Sequence, residues 1–332
     1  MSKVSVIIPF FQRKQGILRR TLMSVLSQRL IVKATVDIII VDDGSPVPVA
    51  AEIENICFKP PFHLNIIAQL NAGVGAARNV GLKGVDSSTT YVAFLDSDDI
   101  WQEGHLQRGL EALIEGYDFY FCDNRRAGMH DSYFAAHCPE LLAPNGRTSL
   151  KNGCMKLSKE DAVGFIIRCY PTQASTVIFR RDVCSSPRFE ESVKASGEDL
   201  IFFSQLAVLA NGICYSPTPM VECADGINMF FGHYFNWDSP NRLSIAYDQI
   251  VCHSLIRDRL PLSQADRIWL DKLITSRRRD FVFLSLRYLM KFGRLPPELY
   301  RFAKITRWFP IWYPYTVAWI IICKPLGLYR PL

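Results

Sequence analysis

Two clusters of carboxylates carry the chemistry that this sequence can do. The first, Asp96-Ser97-Asp98-Asp99, directly follows the apolar run Tyr91-Val92-Ala93-Phe94-Leu95. Asp96 and Asp98 are two residues apart, so on an extended chain both side chains point the same way. Paired carboxylates in a dry cleft need a cation or hydrogen-bond donors to compensate them. No His or Cys lies close by in the sequence. Oxygen-only ligands of this kind suit Mg²⁺ or Mn²⁺, with phosphate oxygens completing the shell. The plain alternative is an acidic turn capping a helix that starts near Trp101. The second cluster is Glu198-Asp199, at the head of the apolar stretch Leu200-Ile201-Phe202-Phe203. Favourable negative charge at a helix N-terminus would also account for it.

The elements that must position these acids alternate in kind. Val4 to Pro9 and Val36 to Val41 read as continuous buried strands, and Leu64 to Ala68 as a third; Tyr91 to Leu95 is the fourth. Between the first two, Ile17 to Leu30 has a helical repeat of apolar residues. Strands alternating with helices predict an α/β fold, a mostly parallel, doubly wound sheet with helices on both faces. Ligands of such sheets bind at the carboxyl ends of the strands, which is where Asp42-Asp43-Gly44-Ser45 and Asp96 to Asp99 emerge. Gly73 and Gly75 with Arg78 make a weak dinucleotide fingerprint, because they follow the third strand and Arg78 replaces the last glycine. A helix N-terminus with an arginine one turn in, facing a phosphate or a polar base edge, is the better reading. A structural ion pair for Arg78 stays open beside it.

Composition bounds the rest. A chain of 332 residues with 49% hydrophobic and 21% charged residues holds a full core in one large or two modest domains. Ten scattered cysteines without a C-x-x-C pair or zinc spacing predict reduced structural thiols. The first residues run straight into a strand too short for a signal peptide, so the expected location is cytoplasmic. The net charge of +6 is uneven: from Arg242 onward 16 Lys+Arg face 6 Asp+Glu, while the part before it is acidic. Within that tail, Ile268 to Leu289 repeats helically around Arg277-Arg278-Arg279. The uncharged run Trp308 to Cys323 is interrupted by Pro310 and Pro314 and is short for a membrane span. Aromatic rings beside Lys and Arg predict an interfacial anchor on the inner face of the cell membrane, with a helical cap packed on the catalytic domain as the alternative. No nucleic-acid module accompanies the basic tail, so no nucleic-acid partner is expected.

Val4–Pro9, Ile38-Ile39-Ile40-Val41-Asp42-Asp43-Gly44-Ser45, Asn71 to Asn79 and Leu95-Asp96-Ser97-Asp98-Asp99 occur in that order at compact spacing. In this the chain resembles the family 2 glycosyltransferases of the GT-A fold, strongly over about the first hundred residues. The resemblance implies a nucleoside-diphosphate-sugar donor, a UDP-sugar, and a Mn²⁺ or Mg²⁺ cofactor. It implies that Asp42 accepts from the uracil N–H, that Pro9 and Phe11 lie by the base, and that Asn71 and Arg78 line the nucleotide pocket. Asp96, Ser97 and Asp98 become the D-x-D motif, with Asp98 the direct metal ligand. Glu198-Asp199 becomes the acidic pair beyond that motif, with Asp199 the general base and Glu198 its neighbour in the acceptor site. An inverting transfer needs such a carboxylate on the face opposite the leaving group. The aromatic stretch Asp225 to Pro240 suggests a flap over a sugar, and the resemblance makes His233 within it a candidate for metal or diphosphate, with a structural histidine as the alternative. It also resembles a subgroup of bacterial exopolysaccharide glucosyltransferases of the succinoglycan type.

The expected organisation is a GT-A domain over residues 1–240, with 1–120 binding the nucleotide sugar and 121–240 the acceptor, and a basic, aromatic helical extension over 241–332 that associates with membrane. The expected activity is metal-dependent, inverting transfer of a hexose, glucose from UDP-glucose, to a lipid-linked oligosaccharide in exopolysaccharide biosynthesis. Two rivals are a non-catalytic sugar-nucleotide-binding scaffold and a nucleotidyltransferase. A scaffold has no need of a base at Asp199, and Pro9 to Lys14 is not the glycine- and lysine-rich phosphate loop that a nucleotidyltransferase would carry.

Overall fold

The structure is a computed structural model that describes residues 2–126, 128–143, 148–184, 186–224, 236, 239, 241–305 and 308–325. The chain divides into two compact units, Met1–Ser192 with Glu198–Ile227 and Val193–Gly197 with Asn228–Leu332.

The first unit begins with β1 (Ser2–Phe10), α1 (Ile17–Leu26), β2 (Ala34–Asp42), α2 (Val49–Ile53), β3 (Phe62–Ala68), α3 (Val74–Lys83) and β4 (Tyr91–Phe94). Val, Ile and Phe along β1 and β2 are buried without a break, as strands covered on both faces must be. These four strands pair in parallel in the order β3-β2-β1-β4. The chain thus moves outward from β1 to β3, then returns across β1 to lay down β4. Right-handed crossovers in opposite directions put their helices on opposite faces. Accordingly Leu18, Leu22 and Val25 of α1 join the core with Val4, Val6 and Ile8. Gly81 of α3 packs instead against Ile7 of the other face, where any Cβ would strike that side chain. The crevice at the ends of β1 and β4 is therefore the topological switch point, the place such sheets keep for ligands.

The remaining elements are β5 (Ile100–Trp101), α4 (His105–Ile114), β6 (Phe119–Arg126), α5 (Tyr133–His137), β7 (Met155–Leu157), α6 (Lys159–Cys169), β8 (Ile178–Arg180), α7 (Glu198–Leu209) and β9 (Ile213–Cys223). They extend the sheet in the order β4-β8-β6-β9-β5, with β7 on β9. Here β8 runs antiparallel to both β4 and β6, so β6 points the same way as β4. The acidic turn after β4 does not open a helix at Trp101, because Ile100 and Trp101 pair with β9 and the helix starts at His105. The stretch from Cys122 to Met155, without periodicity in the sequence, holds the end of β6, the five-residue α5 and the start of β7. Phe94, Phe179, Phe189, Phe202 and Phe203 form an aromatic layer in which Phe189 stacks on Phe202 with centroids 4.1 Å apart.

The second unit is helical, with α8 (Arg242–Arg259), α9 (Gln264–Phe292), α10 (Pro297–Ile305) and α11 (Phe309–Cys323). Ser263 caps α9 by accepting from the Asp266 N–H (3.1 Å), and Gly293 ends it in the left-handed conformation. The two prolines do not break the last run. Pro310 falls in the first turn of α11, where a missing N–H costs little, and the helix continues through Pro314. One side of α11 packs Trp312, Tyr313 and Val317 around Ile320 and Val282 of α9. Its other side leaves Trp308, Ile311, Tyr315, Ile321 and Ile322 exposed. No helix among the described residues is long and apolar enough to cross a membrane.

Candidate active site

Four strand ends meet at the switch point, and side chains tie them together. Gln12, just past β1, donates from its backbone to Ser45 Oγ (2.9 Å) and from its amide to Ser97 Oγ (3.1 Å). Asp42 ends β2, and its Oδ1 accepts from the Ser45 N–H (2.8 Å), shaping the turn from its own side chain. The next residue does more of the holding. The buried Asp43 carboxylate accepts from Gln69 Nε2 (2.7 Å) and from the backbone N–H groups of Ala72 (2.8 Å) and Gly73 (2.9 Å). The exposed Asn71 donates back to the Asp43 carbonyl (3.0 Å). Gly44 has φ 68 and lies so close to Asn71 that an added Cβ would sit 3.1 Å from its backbone nitrogen. Pro9 is buried at the end of β1 and Phe11 is half-buried beside the same loops. Asp42 and Asn71 thus share one rim, with Pro9 and Phe11 at the neighbouring strand end.

Arg78 stands one turn into α3 and is 3% exposed. Its guanidinium donates to Asp96 Oδ1 (2.7 Å) and to Glu198 Oε1 (3.0 Å), and lies 5.2 Å from the centroid of Phe189. Burial works to lower its pKa, but Asp96, Glu198 and Asp199 outweigh it and hold the arginine more firmly protonated than usual. One buried cation, 120 residues before Glu198 in the chain, therefore joins the end of β4 to the start of α7.

Glu198 and Asp199 form the first turn of α7. Burial, and then the neighbouring Asp199, push the Glu198 carboxyl upward against the pull of Arg78. Burial also raises Asp199; Arg78, the Tyr170 hydroxyl and the Leu200 N–H draw it down, and Asp96 pushes it up again. The Asp199 carboxylate accepts from that N–H (2.9 Å) and hydrogen-bonds Tyr170. Tyr170 ends α6 in the left-handed conformation, φ 51 and ψ 49, which costs a residue with a Cβ about 1 kcal/mol or more.

The D-x-D turn is braced from behind. Asp99 N–H closes it on the Asp96 carbonyl (3.1 Å), and Thr21 Oγ1 donates to the Ser97 carbonyl (2.9 Å). Ser175 accepts from the Asp96 N–H (3.0 Å) and donates to Asp99 Oδ2 (2.5 Å). Asp99 is buried, and its carboxyl is raised well above the usual range by burial and then by Asp96 and Asp98. Asp96 keeps 35% of its side chain exposed, and Asp98 is half-buried beside it.

The structure thus brings Asp96, Ser97 and Asp98 together with Arg78, Glu198 and Asp199. His233 lies outside the described residues. Ser175 and Tyr170 bind the same cluster yet carry no sequence signal of their own, whereas Asp43, from the Asp42-Asp43-Gly44-Ser45 motif, holds the Gln69–Gly73 loop instead. Among the described residues no group of three or more His, Cys, Asp or Glu is arranged to hold a metal ion. A hard cation nonetheless suits the site. Asp96 and Asp98 offer partly exposed carboxylate oxygens, and the neighbouring carboxyls of Asp99, Glu198 and Asp199 are pushed upward first by burial and then by the acids beside them.

Comparison with known proteins bears on this geometry. Residues 5–169 match the family model described as Glycosyl transferase family 2. The chain is 28% identical over 261 residues to the succinoglycan biosynthesis protein ExoW of Rhizobium meliloti, covering 78% of this chain and 80% of that one. It is 31% identical over 210 residues to the minor teichoic acid biosynthesis protein GgaA of Bacillus subtilis, covering 61% of this chain but 42% of that longer protein. Among solved structures it resembles S. aureus TarS 1-349 in complex with UDP-GlcNAc, with a TM-score of 0.57 and 21% identity over 84% of this chain and 73% of that one. It also resembles the mannosyltransferase PcManGT of Pyrobaculum calidifontis in complex with GDP-Man and Mn²⁺, with a TM-score of 0.53 and 15% identity over 98% and 87%. At such identities the likeness to these structures is one of fold, GT-A in type.

Proposed function

The chain belongs to the family 2 glycosyltransferases, and from that premise we propose that it moves glucose from UDP-glucose to a lipid-linked saccharide, with inversion, during exopolysaccharide assembly. The observation that carries this reading is the buried Arg78, which binds Asp96 of the donor side and Glu198 of the acceptor side at once. The reading gives the rim of Asp42 and Asn71, with Pro9 and Phe11 beside it, to the uridine. Asp96 and Asp98, with Ser97 between them, would hold Mn²⁺ or Mg²⁺. That cation, when bound, supplies positive charge to the diphosphate as the anomeric bond breaks. Asp199 takes the proton of the acceptor hydroxyl as its oxygen attacks from the opposite face. Glu198 is already engaged by the Arg78 guanidinium (3.0 Å), which leaves Asp199 as the base of the pair. Arg78 fixes the distance between the two halves, and no covalent sugar intermediate is needed. UDP-GlcNAc bound to TarS and Mn²⁺ bound to PcManGT, both of this fold, support the choice of donor class and cation.

The helical unit supports a place at the inner surface of the membrane, where a lipid-linked acceptor resides. The exposed side of α11 carries Trp308, Ile311, Tyr315, Ile321 and Ile322, with the exposed Lys324 at its end. Rings and aliphatics next to a lysine suit the interface of an anionic bilayer, with the helix lying in the plane. Calorimetric titration with UDP-glucose, UDP-galactose, UDP-N-acetylglucosamine and GDP-mannose, each with and without Mn²⁺, tests the donor reading. We expect Mn²⁺-dependent binding of UDP-glucose above the others. Preference for another sugar replaces the donor, and absence of any nucleotide binding overturns the site.

A further inference from the structure

Ser175 lies on the short turn Ala174–Thr176 ahead of β8, far in sequence from the carboxylates it touches. The register explains how it gets there. Tyr91 pairs with Arg180, Val92 with Phe179 and Ala93 with Ile178, antiparallel. Carried three residues further, that register sets Ser175 opposite Asp96. A serine hydroxyl has one hydrogen to give. It goes to Asp99 Oδ2 (2.5 Å), so the same oxygen is left to accept from the Asp96 N–H (3.0 Å). The Ser175 carbonyl is occupied too, accepting from Trp101 Nε1 (2.8 Å). The second oxygen of Asp99 accepts from the Ala224 N–H (3.1 Å), directly after β9. The Ser175 hydroxyl and carbonyl and both carboxylate oxygens of Asp99 are thus each directed by a partner.

We propose that Ser175 is a positioning residue for the cation-binding carboxylates Asp96 and Asp98. It works with Asp99, which is turned inward as a brace and not outward as a third ligand. By fixing the Asp96 backbone on one side and Asp99 on the other, Ser175 holds the turn in the one shape that leaves Asp96 and Asp98 on the crevice side. This rests on the proposed cation role of Asp96 and Asp98. Residues that orient metal ligands from outside typically change metal affinity by about 10- to 100-fold when lost.

The test measures Mn²⁺ binding to the full chain in the presence of UDP, from the paramagnetic resonance signal of the free ion, and UDP binding without metal by calorimetry. Ser175→Ala is expected to weaken Mn²⁺ about tenfold or more while leaving metal-free UDP binding as it was. Asp99→Ala should reproduce the defect by a second route, and Ser175→Thr, which keeps the hydroxyl, should recover most of the affinity. Asp98→Asn serves as the control. If it is impaired and Ser175→Ala is not, the positioning role is wrong and the cation pair stands. If Asp98→Asn binds Mn²⁺ as the wild type does, the cation pair itself is wrong. Equal weakening of UDP with and without metal in Ser175→Ala overturns the positioning role in favour of a general loss of structure.

Discussion

The crevice edge of the sheet and the outer side of α11 break opposite rules of globular structure. At the crevice, Arg78, Asp99 and Glu198 are ionisable groups taken out of water; on α11, Ile311, Tyr315 and Ile322 are apolar groups left in it. Buried charge is tolerated when partners with definite directions surround it. Arg78 and Ser175 supply them here, at distances between 2.5 and 3.0 Å. Exposed apolar surface needs a partner too, but not a directed one. The contrast teaches what each region is suited to. Directed hydrogen bonds fix reacting groups in place, whereas an undirected apolar face adapts to a fluid surface.

The sharpest way to break the comparison is at the base. Asp199→Asn removes the proposed proton acceptor with little change of shape, so kcat should fall by about 10²- to 10⁴-fold while Mn²⁺-dependent UDP binding persists. Transfer at nearly the wild-type rate would sink the base assignment. Asp98→Asn should act on the other half of the crevice, weakening Mn²⁺-supported UDP-sugar binding by at least about tenfold. Unchanged binding would mean that the turn holds no cation. Together the pair separates loss of chemistry from loss of donor.

How much of this the chain announces depends on whether the partners are local. Asp96-Ser97-Asp98-Asp99 is legible because a buried apolar strand runs straight into it, and α3 with its arginine follows from Gly73 and the residues after it. The partners of Arg78 are not legible in that way. Asp96 is 18 residues away and Glu198 120, and only the switch of strand order brings them to one guanidinium. Ser175 is harder still, since its place opposite Asp96 is a matter of antiparallel register. Tyr170 reaches Asp199 because α6 ends in a left-handed residue that no periodicity marks. The stretch after Cys122 resists reading for another reason. β6 slips register on both sides of Asp123, and the elements that follow are five residues or shorter. At the other end, Pro310 and Pro314 suggest a broken run, but α11 continues because packing on α9 outweighs one missing hydrogen bond.

On the apolar side of the comparison, point changes serve better than truncation, because removing α11 would uncover Val282 of α9. Ile311→Ser combined with Tyr315→Ser alters two exposed positions and leaves the packed side alone. Sedimentation with vesicles containing an anionic lipid should show affinity reduced by roughly tenfold, about 1.4 kcal/mol of lost apolar transfer. Transfer to a soluble acceptor should be unchanged. Binding that survives both substitutions would place the membrane contact elsewhere.

The smallest effect tests how finely directed bonds tune the crevice. Tyr170→Phe keeps the ring and the left-handed backbone but removes the hydroxyl that hydrogen-bonds Asp199. Of the groups acting on that carboxylate, Arg78, Tyr170 and the Leu200 N–H favour its charged form, while burial and Asp96 oppose it; Asp199 in turn raises its neighbour Glu198. Losing one favouring group must raise the pKa of Asp199 further. A base works only when deprotonated, so the acid limb of the rate should move to higher pH. Below the limb the variant is slower, and above it the two rates converge. A fall in rate of equal size at every pH would show instead that Tyr170 supports the shape of the site and not the charge of its base.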